Sequence, residues 1–204
     1  MSPAVVFAPE RWRKPVSFIF AATWLAIALL TVPQGFATGW FDALELLGFV
    51  LLIIAALGRI WAFTYICGRK NIELCRKGPY SLTRNPLYLF SFIGVCGASL
   101  ALQSLMLFAG SAVFFLAYYA WVIRAEEKRL AVLFSPGFTV YCRDVPRFWP
   151  RLARPDPGDD ITVSPRLIAR HLTEGFWFLA TIVFIELIEM GKVGAWWLTF
   201  ETRF

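Results

Sequence analysis

PLYLFSFIGVCGASLALQSLMLFAGSAVFFLAYYAWVI, residues 86–123, holds no acidic, basic or histidine side chain and is interrupted once, at Gln103-Ser104. Two apolar runs, 86–102 and 105–123, with so short a join must fold as an antiparallel helical hairpin that returns the chain to the side it left. Gly94, Gly97 and Ala98 on the first run, with Gly110, Ser111 and Ala112 on the second, are spaced to let the two backbones approach closely.

Outside this hairpin the composition says the same thing. Of 204 residues 58% are hydrophobic and 17% charged, against roughly 25% charged in an ordinary soluble domain. Mean hydropathy is +0.61. A first further span covers 15–33, bounded by Pro15 and Pro33, and its 19 residues reach about 28 Å, close to the thickness of a hydrocarbon core. A second begins at Asp42 and reaches Ile66, with Arg59 snorkelling near its end. From Arg124 the chain turns charged and proline-rich, starting with a helix over 126–133. Ser164-Pro165 then caps a fifth span over 171–189. The expected fold is all-α, a polytopic membrane protein with about five transmembrane helices. It divides into N-terminal spans (1–66), a core of loop, hairpin and cytoplasmic helix (67–151), and a linker with the fifth span and tail (152–204).

Basic residues orient these spans. Three precede the first span, five lie within 69–84 and nine within 124–170. By the positive-inside rule the N-terminus and both polar segments are cytoplasmic, and the C-terminus is on the opposite side. That means the inner membrane in a bacterium and the endoplasmic reticulum in a eukaryote. The formal charge of +6 therefore reflects topology and not nucleic-acid binding, because the cations flank apolar runs. Nine Trp, Trp196-Trp197 among them, suit interfacial belts. The N-terminal run lacks a small-residue cleavage site and reads as a retained anchor. Cys67, Cys75, Cys96 and Cys142 show no CxxC spacing and His171 is the sole imidazole, so the cysteines read as free thiols and no metal site is expected.

Chemistry-bearing residues collect where the hairpin brings two polar segments together. Residues 77–88, KGPYSLTRNPLY, carry turn signals at Gly78-Pro79 and Asn85-Pro86, with Pro86 suited to a first helical position. They offer Tyr80, Arg84, Asn85 and Tyr88, and the second segment offers Arg124, Glu126, Glu127, Tyr141 and Arg143. Taken alone, these could line a pocket for hydroxyl groups, a cation and an amino-acid moiety. They could equally be interfacial anchors and a solvated turn of helix.

The order of motifs is more specific. Gly78-Pro79-Tyr80, Arg84-Asn85-Pro86-Leu87-Tyr88, the hairpin, Glu126-Glu127, and Tyr141 followed by Val145-Pro146-Arg147-Phe148-Trp149-Pro150 together resemble the isoprenylcysteine carboxyl methyltransferase and phospholipid methyltransferase superfamily over about residues 70–151. The resemblance implies an integral membrane methyltransferase that binds S-adenosylmethionine at the cytoplasmic helix ends and releases S-adenosylhomocysteine. Carried over, Ile72, Glu73, Leu74, Cys75, Tyr80, Asn85, Pro86, Leu87, Tyr88 and Glu127 contact the cofactor. Arg124, Glu126 and Tyr88 serve catalysis, and Arg124, Tyr141 and Arg143 face the substrate. Asn85 stands where the family usually has His, and an amide carries no proton or charge near neutral pH, so an acid–base role at that position is not implied.

The implied reaction needs positioning more than proton transfer, with nucleophile and methyl carbon about 3–3.5 Å apart and water excluded. The expected acceptor is lipophilic and enters from the bilayer. The carboxyl group of an isoprenylcysteine-like compound comes first; a phospholipid amine, for which Glu126 or Tyr88 would take the proton, is the alternative. Membrane reductases with a nicotinamide cofactor share this architecture, but their later His and Asp motifs are absent. A non-catalytic scaffold is the non-enzyme alternative. His171 reads as interfacial, Glu186, Glu189 and Lys192 as spaced helix-end charges, and the fifth span as packing beside the core or mediating self-association among membrane lipids.

Overall fold

In the computed structural model the described residues are 8–33, 39–69, 71–158, 165–194 and 200–202. Six helices dominate: α1 (Ala8–Leu30), α2 (Gly39–Ile66), α3 (Pro86–Ala101), α4 (Leu105–Leu133), α5 (Gly137–Asp144) and α6 (Pro165–Val193). A 3-10 turn at Pro79–Ser81 precedes α3. The fold is all-helical as expected, with one small ribbon added, β1 (Thr31–Pro33) pairing in parallel with β2 (Phe200–Thr202).

Asp42–Ile66 and Leu105–Leu133 are long and apolar enough to cross a membrane, whereas Pro15–Leu30 and Pro86–Ala101 are shorter apolar helices. Only 33% and 28% of the most apolar windows of the first two is buried within the protein. Leu46, Leu57 and Val113 are each more than 60% exposed. Apolar surface left outward on this scale suits lipid rather than water, and the chain fits a membrane protein.

α3 is the central helix. It packs most extensively on α2 and also touches α4 and α6. One core joins Ala28 of α1, Leu52 of α2, Ala98 and Ala101 of α3, Leu107 of α4, and Ile185 and Ile188 of α6. A Cβ at Gly48 of α2 would run into the Ala101 backbone nitrogen and lie 2.6 Å from the Gly97 carbonyl oxygen, so these two helices touch backbone to backbone. Here the expected use of small residues is corrected. Gly97 faces α2, Gly94 faces Phe178 of α6 and Ala55 of α2, and a Cβ on Gly110 would meet nothing. Between α3 and α4 the close contact is a hydroxyl pair, Ser99 Oγ to Ser111 Oγ at 3.2 Å. The hairpin turn rests on Gln103 in the left-handed region (φ 56°) and on Ser104, whose Oγ accepts from Leu107 N as the α4 cap.

Two boundaries differ from expectation. Helix α1 starts seven residues before Pro15 and encloses it; Pro9, in the first turn, occupies the position where proline is tolerated. Helix α4 runs unbroken through residues 124–133, which apart from Val132 are good helix formers and include no glycine or proline. Its 29 residues span about 43 Å, longer than a hydrocarbon core of about 30 Å, and Arg124, Glu126 and Glu127 stand in its last three turns on a rigid rod. The Ser164 cap and the Trp196-Trp197 belt lie outside the described residues, as does the side chain of His171.

Candidate functional site

The polar loop between α2 and α3 is held by the chain that follows α5. Arg84 N donates to the Pro146 carbonyl at 2.9 Å and Arg151 N to the Leu82 carbonyl at 3.1 Å. Thr83, 2% exposed, donates its hydroxyl to the Phe148 carbonyl at 2.9 Å. Asn85 Nδ2 donates to the Arg147 carbonyl at 2.9 Å. Further along, Gly78 pairs with Asp156 as an isolated antiparallel bridge, and Lys77 Nζ lies 2.7 Å from Asp156 Oδ2. That hydrogen bond holds the Asp156 carboxyl below its usual range. Loop and tail therefore form one layer across the end of α3.

Glu127 fastens this layer to α4. Arg84 Nη1 is 3.0 Å from Glu127 Oε1, and Arg147 Nε donates to Glu127 Oε2 at 2.9 Å. One carboxylate thus joins the loop, the tail and the helix. One residue earlier, Glu126 Oε2 accepts from Tyr88 Oη at 2.8 Å, and Arg129 Nη2 is 4.0 Å from Glu126 Oε1. A small apolar cluster of Phe138, Tyr141 and Val145 with Leu74, Leu130 and Phe134 sets α5 against α4. From that cluster the Tyr141 hydroxyl donates to the Tyr80 carbonyl at 2.7 Å.

Tyr80 is 6% exposed, and its own hydroxyl has no hydrogen-bond partner among the described residues. Burial, with Cys75, Tyr141 and Glu126 as electrostatic neighbours, pushes this phenol well above its usual range, so it stays neutral. Burial also raises Tyr141 and Cys75. A buried neutral donor left without a partner is uncommon and is what a polar ligand would complete.

From Tyr88, which is bonded to Glu126, a run of aromatic side chains continues. Tyr88 and Tyr119 lie 5.3 Å apart between ring centroids, Phe115 stacks on Tyr119 at 4.0 Å, and Phe92 contacts Phe115 at 5.4 Å and Trp149 at 5.9 Å. Such faces attract a cation such as a sulfonium and also accept an apolar chain.

Among the residues singled out from sequence, Tyr80, Asn85, Pro86, Tyr88, Glu126, Glu127 and Tyr141 come together here. Leu87 meets Arg59 Nη1 through its carbonyl at 3.4 Å. Leu74 sits in the apolar cluster beneath, and Cys75 donates to the Tyr65 carbonyl at 3.6 Å. Ile72, Glu73, Arg124 and Arg143 are exposed, and Glu73 lies 3.8 Å from Arg69. Arg84, Arg147 and Thr83 do the joining; sequence reasoning offered Arg84 as a pocket residue or interfacial anchor and gave Arg147 and Thr83 no role. Their signal was present in the first two, which are charges inside the recurring motifs. Phe92, Phe115 and Tyr119 could not be picked out of runs rich in aromatics. Among the described residues no three Cys, His, Asp or Glu side chains converge to hold a metal ion.

Residues 43–136 match the family model described as phospholipid methyltransferase. The chain is 33% identical over 199 residues to the nickel-cobalt-cadmium resistance protein NccN of Alcaligenes xylosoxydans xylosoxydans, covering 93% of this chain and 86% of that one. It is 34% identical over 189 residues to the cobalt-zinc-cadmium resistance protein CzcN of Cupriavidus metallidurans, covering 88% and 80% respectively. No solved structure matches.

Proposed function

Because the chain belongs to the phospholipid methyltransferase and isoprenylcysteine carboxyl methyltransferase family of membrane methyltransferases, we propose that it is a membrane-embedded enzyme that moves a methyl group from S-adenosylmethionine to a lipophilic acceptor. The observation that carries this reading is a polar ring with a buried Tyr80 hydroxyl that has no partner among the described residues, continued from Tyr88 by the aromatic wall of Tyr119 and Phe115. The cofactor supplies a methyl already activated on a sulfonium.

The protein's part is to bind, orient and dry the site. The neutral Tyr80 phenol and the loop over residues 85–88 would hold the polar end of the cofactor, and the aromatic wall would face its positive sulfur. Glu127 is occupied by Arg84 and Arg147, so its role is to keep the loop closed on α4. Glu126, hydrogen-bonded to Tyr88, is the group placed to take a proton if the acceptor is an amine. Arg124 and Arg143, exposed beside the ring, suit an anionic acceptor group arriving at the membrane surface.

In the proposed topology five helices cross the bilayer, the N-terminus and this ring face the cytoplasm, and the C-terminus lies opposite. Pairing of β1 with β2 supports it, because an odd number of crossings puts the end of α1 and the C-terminal segment on one side. An isoprenylcysteine-like carboxylate is the leading acceptor. A phospholipid amine is the second reading, favoured by the description of the matching family model. The relatives are named as nickel-cobalt-cadmium and cobalt-zinc-cadmium resistance proteins, which supports a role in metal resistance, where methylating a membrane component would change the envelope that those ions meet.

The test is to incubate protein in lipid nanodiscs with methyl-labelled cofactor and a membrane lipid extract. Label should enter the organic phase, and if the acceptor is an amine, Tyr88→Phe, which strips the hydrogen bond from Glu126, should slow it by about 100-fold or more, the usual scale for a proton-transfer partner. Release of label by mild base identifies an ester, and retention identifies nitrogen. Absence of calorimetric cofactor binding would overturn the enzyme reading and leave the scaffold.

A further inference from the structure

The end of the bundle remote from the candidate site carries a second polar cluster. Asp42 and Glu45 lie in the first turns of α2, Glu186, Glu189 and Lys192 near the end of α6, and Gln103 in the α3–α4 turn. Glu45 is within electrostatic reach of Asp42 and Glu186. Glu189 is within reach of all three and of Lys192. Four carboxylates therefore share one ammonium group among the electrostatic neighbours described.

Two buried acceptors in this cluster have no donor among the described residues. Gln103, 2% exposed, donates Nε2 to Glu45 Oε2 at 3.0 Å, so its amide faces the acids. Its Oε1 has no partner among the described residues, and neither does the buried Glu189 Oε1. Both orphans are acceptors, and an acceptor buried among carboxylates is satisfied only by a donor or a cation. Gln103 is also held in the left-handed region at φ 56°, which for a side chain without a local backbone bond is maintained against strain.

We propose that this cluster binds a hydrated divalent cation of the hard, oxygen-liganded class, with Glu45, Glu189 and the Gln103 amide oxygen as its protein ligands. Carboxylate and amide oxygens select such ions over those that prefer thiolate or imidazole. Among the described residues no three His, Cys, Asp or Glu side chains gather to hold a metal ion, so the site proposed is no full protein cage. Two carboxylates and one amide oxygen are the ligand set of an ion of the magnesium type, which keeps several waters and takes one or two carboxylates. Asp42 and Glu186 balance charge through the waters, and the ion ties α2, α6 and the hairpin turn together. Sequence spacing cannot reveal such a site, since its ligands come from three separate elements.

The probe is Mn2+, read by the loss of its free-ion paramagnetic resonance signal on titration into full-length protein in phosphatidylcholine nanodiscs. The expected result is one saturable site per chain, displaced by Mg2+. Glu45→Gln with Glu189→Gln should weaken it by at least about 10-fold, as disturbing even the outer shell of a metal site does. Gln103→Met, which keeps every carboxylate, should also weaken it, whereas Glu73→Gln at the other end of the bundle should leave it unchanged. Absence of saturable Mn2+ binding, or affinity that survives both the double variant and Gln103→Met, would overturn the proposal. Circular dichroism on each variant separates lost binding from lost fold.

Discussion

Replacing Glu127 by alanine removes the one carboxylate that joins the loop, the tail and α4. The side chains of Arg84 and Glu127 are 12% and 10% exposed. Breaking so enclosed a pair leaves an uncompensated guanidinium, and such changes cost about 3–5 kcal/mol. Arg147 is 48% exposed, so water screens its share and it adds less than about 1 kcal/mol. The sum is about 3–6 kcal/mol. At roughly 2–4 °C per kcal/mol for a chain of this size, the melting temperature should fall by about 6–24 °C. The assay is thermal unfolding of parent and variant in one detergent at one scan rate. A double variant, Arg84→Met with Glu127→Leu, should melt higher than Glu127→Leu alone, because it removes both charges at once. A Glu127→Ala protein that melts within about 2 °C of the parent, or a double variant worse than the single, would refute the role of keystone assigned to this carboxylate.

Three other outcomes follow from named contacts. Asn85→Ala loses the bond to the Arg147 carbonyl and should destabilise by about 1 kcal/mol; Asn85→His, which keeps an N–H donor, should melt near the parent and bind cofactor comparably in calorimetry. Gly48→Val, placed where a Cβ already meets the α3 backbone, should abolish recovery of monodisperse protein by size exclusion, while Gly110→Val, with open space around it, should purify normally. Cys75, whose thiol is pushed up by burial, keeps its proton to higher pH than a free cysteine. Its alkylation by iodoacetamide at pH 7–8 should be slow in folded protein and become fast on denaturation, as followed by peptide mass spectrometry.

Much of the helical framework is legible without coordinates, because a long apolar run in a bilayer has only one way to satisfy its backbone. The charge-free hairpin around Gln103-Ser104 and the mostly apolar second span from Asp42 are of this kind. Boundaries fail where a start signal is duplicated, as with Pro9 and Pro15, or where polarity is mistaken for a break, as after Ile123. Partner choice among the helices is not legible either. Small residues on the hairpin read as a contact between α3 and α4, but Gly97 meets Gly48 of α2 instead. A small side chain says that something approaches closely and not which helix it is.

The same division runs through the site. The order of motifs settles which segments meet and places the chain in its family, since short stretches in fixed succession need no coordinates to be compared. Arg84 and Asn85 stand in that succession, yet their tasks could not be read from it. Arg84 closes on Glu127, and Asn85 grips the tail through the Arg147 carbonyl. Whether a charged side chain greets solvent, a ligand or a buried partner depends on what lies within about 4 Å of it. That distance is decided by the packing of α4 and the tail against the loop, between residues 43 positions apart for Arg84 and Glu127 and 20 for Glu127 and Arg147. By itself the sequence determined a membrane-suited, hairpin-centred helical chain of this family, because hydropathy and motif order are local properties. Only the tertiary structure decided that Glu127 fastens loop and tail to α4, that the Tyr80 hydroxyl has no partner among the described residues, and that a second polar cluster lies at the far end, because each depends on side chains brought together from distant elements.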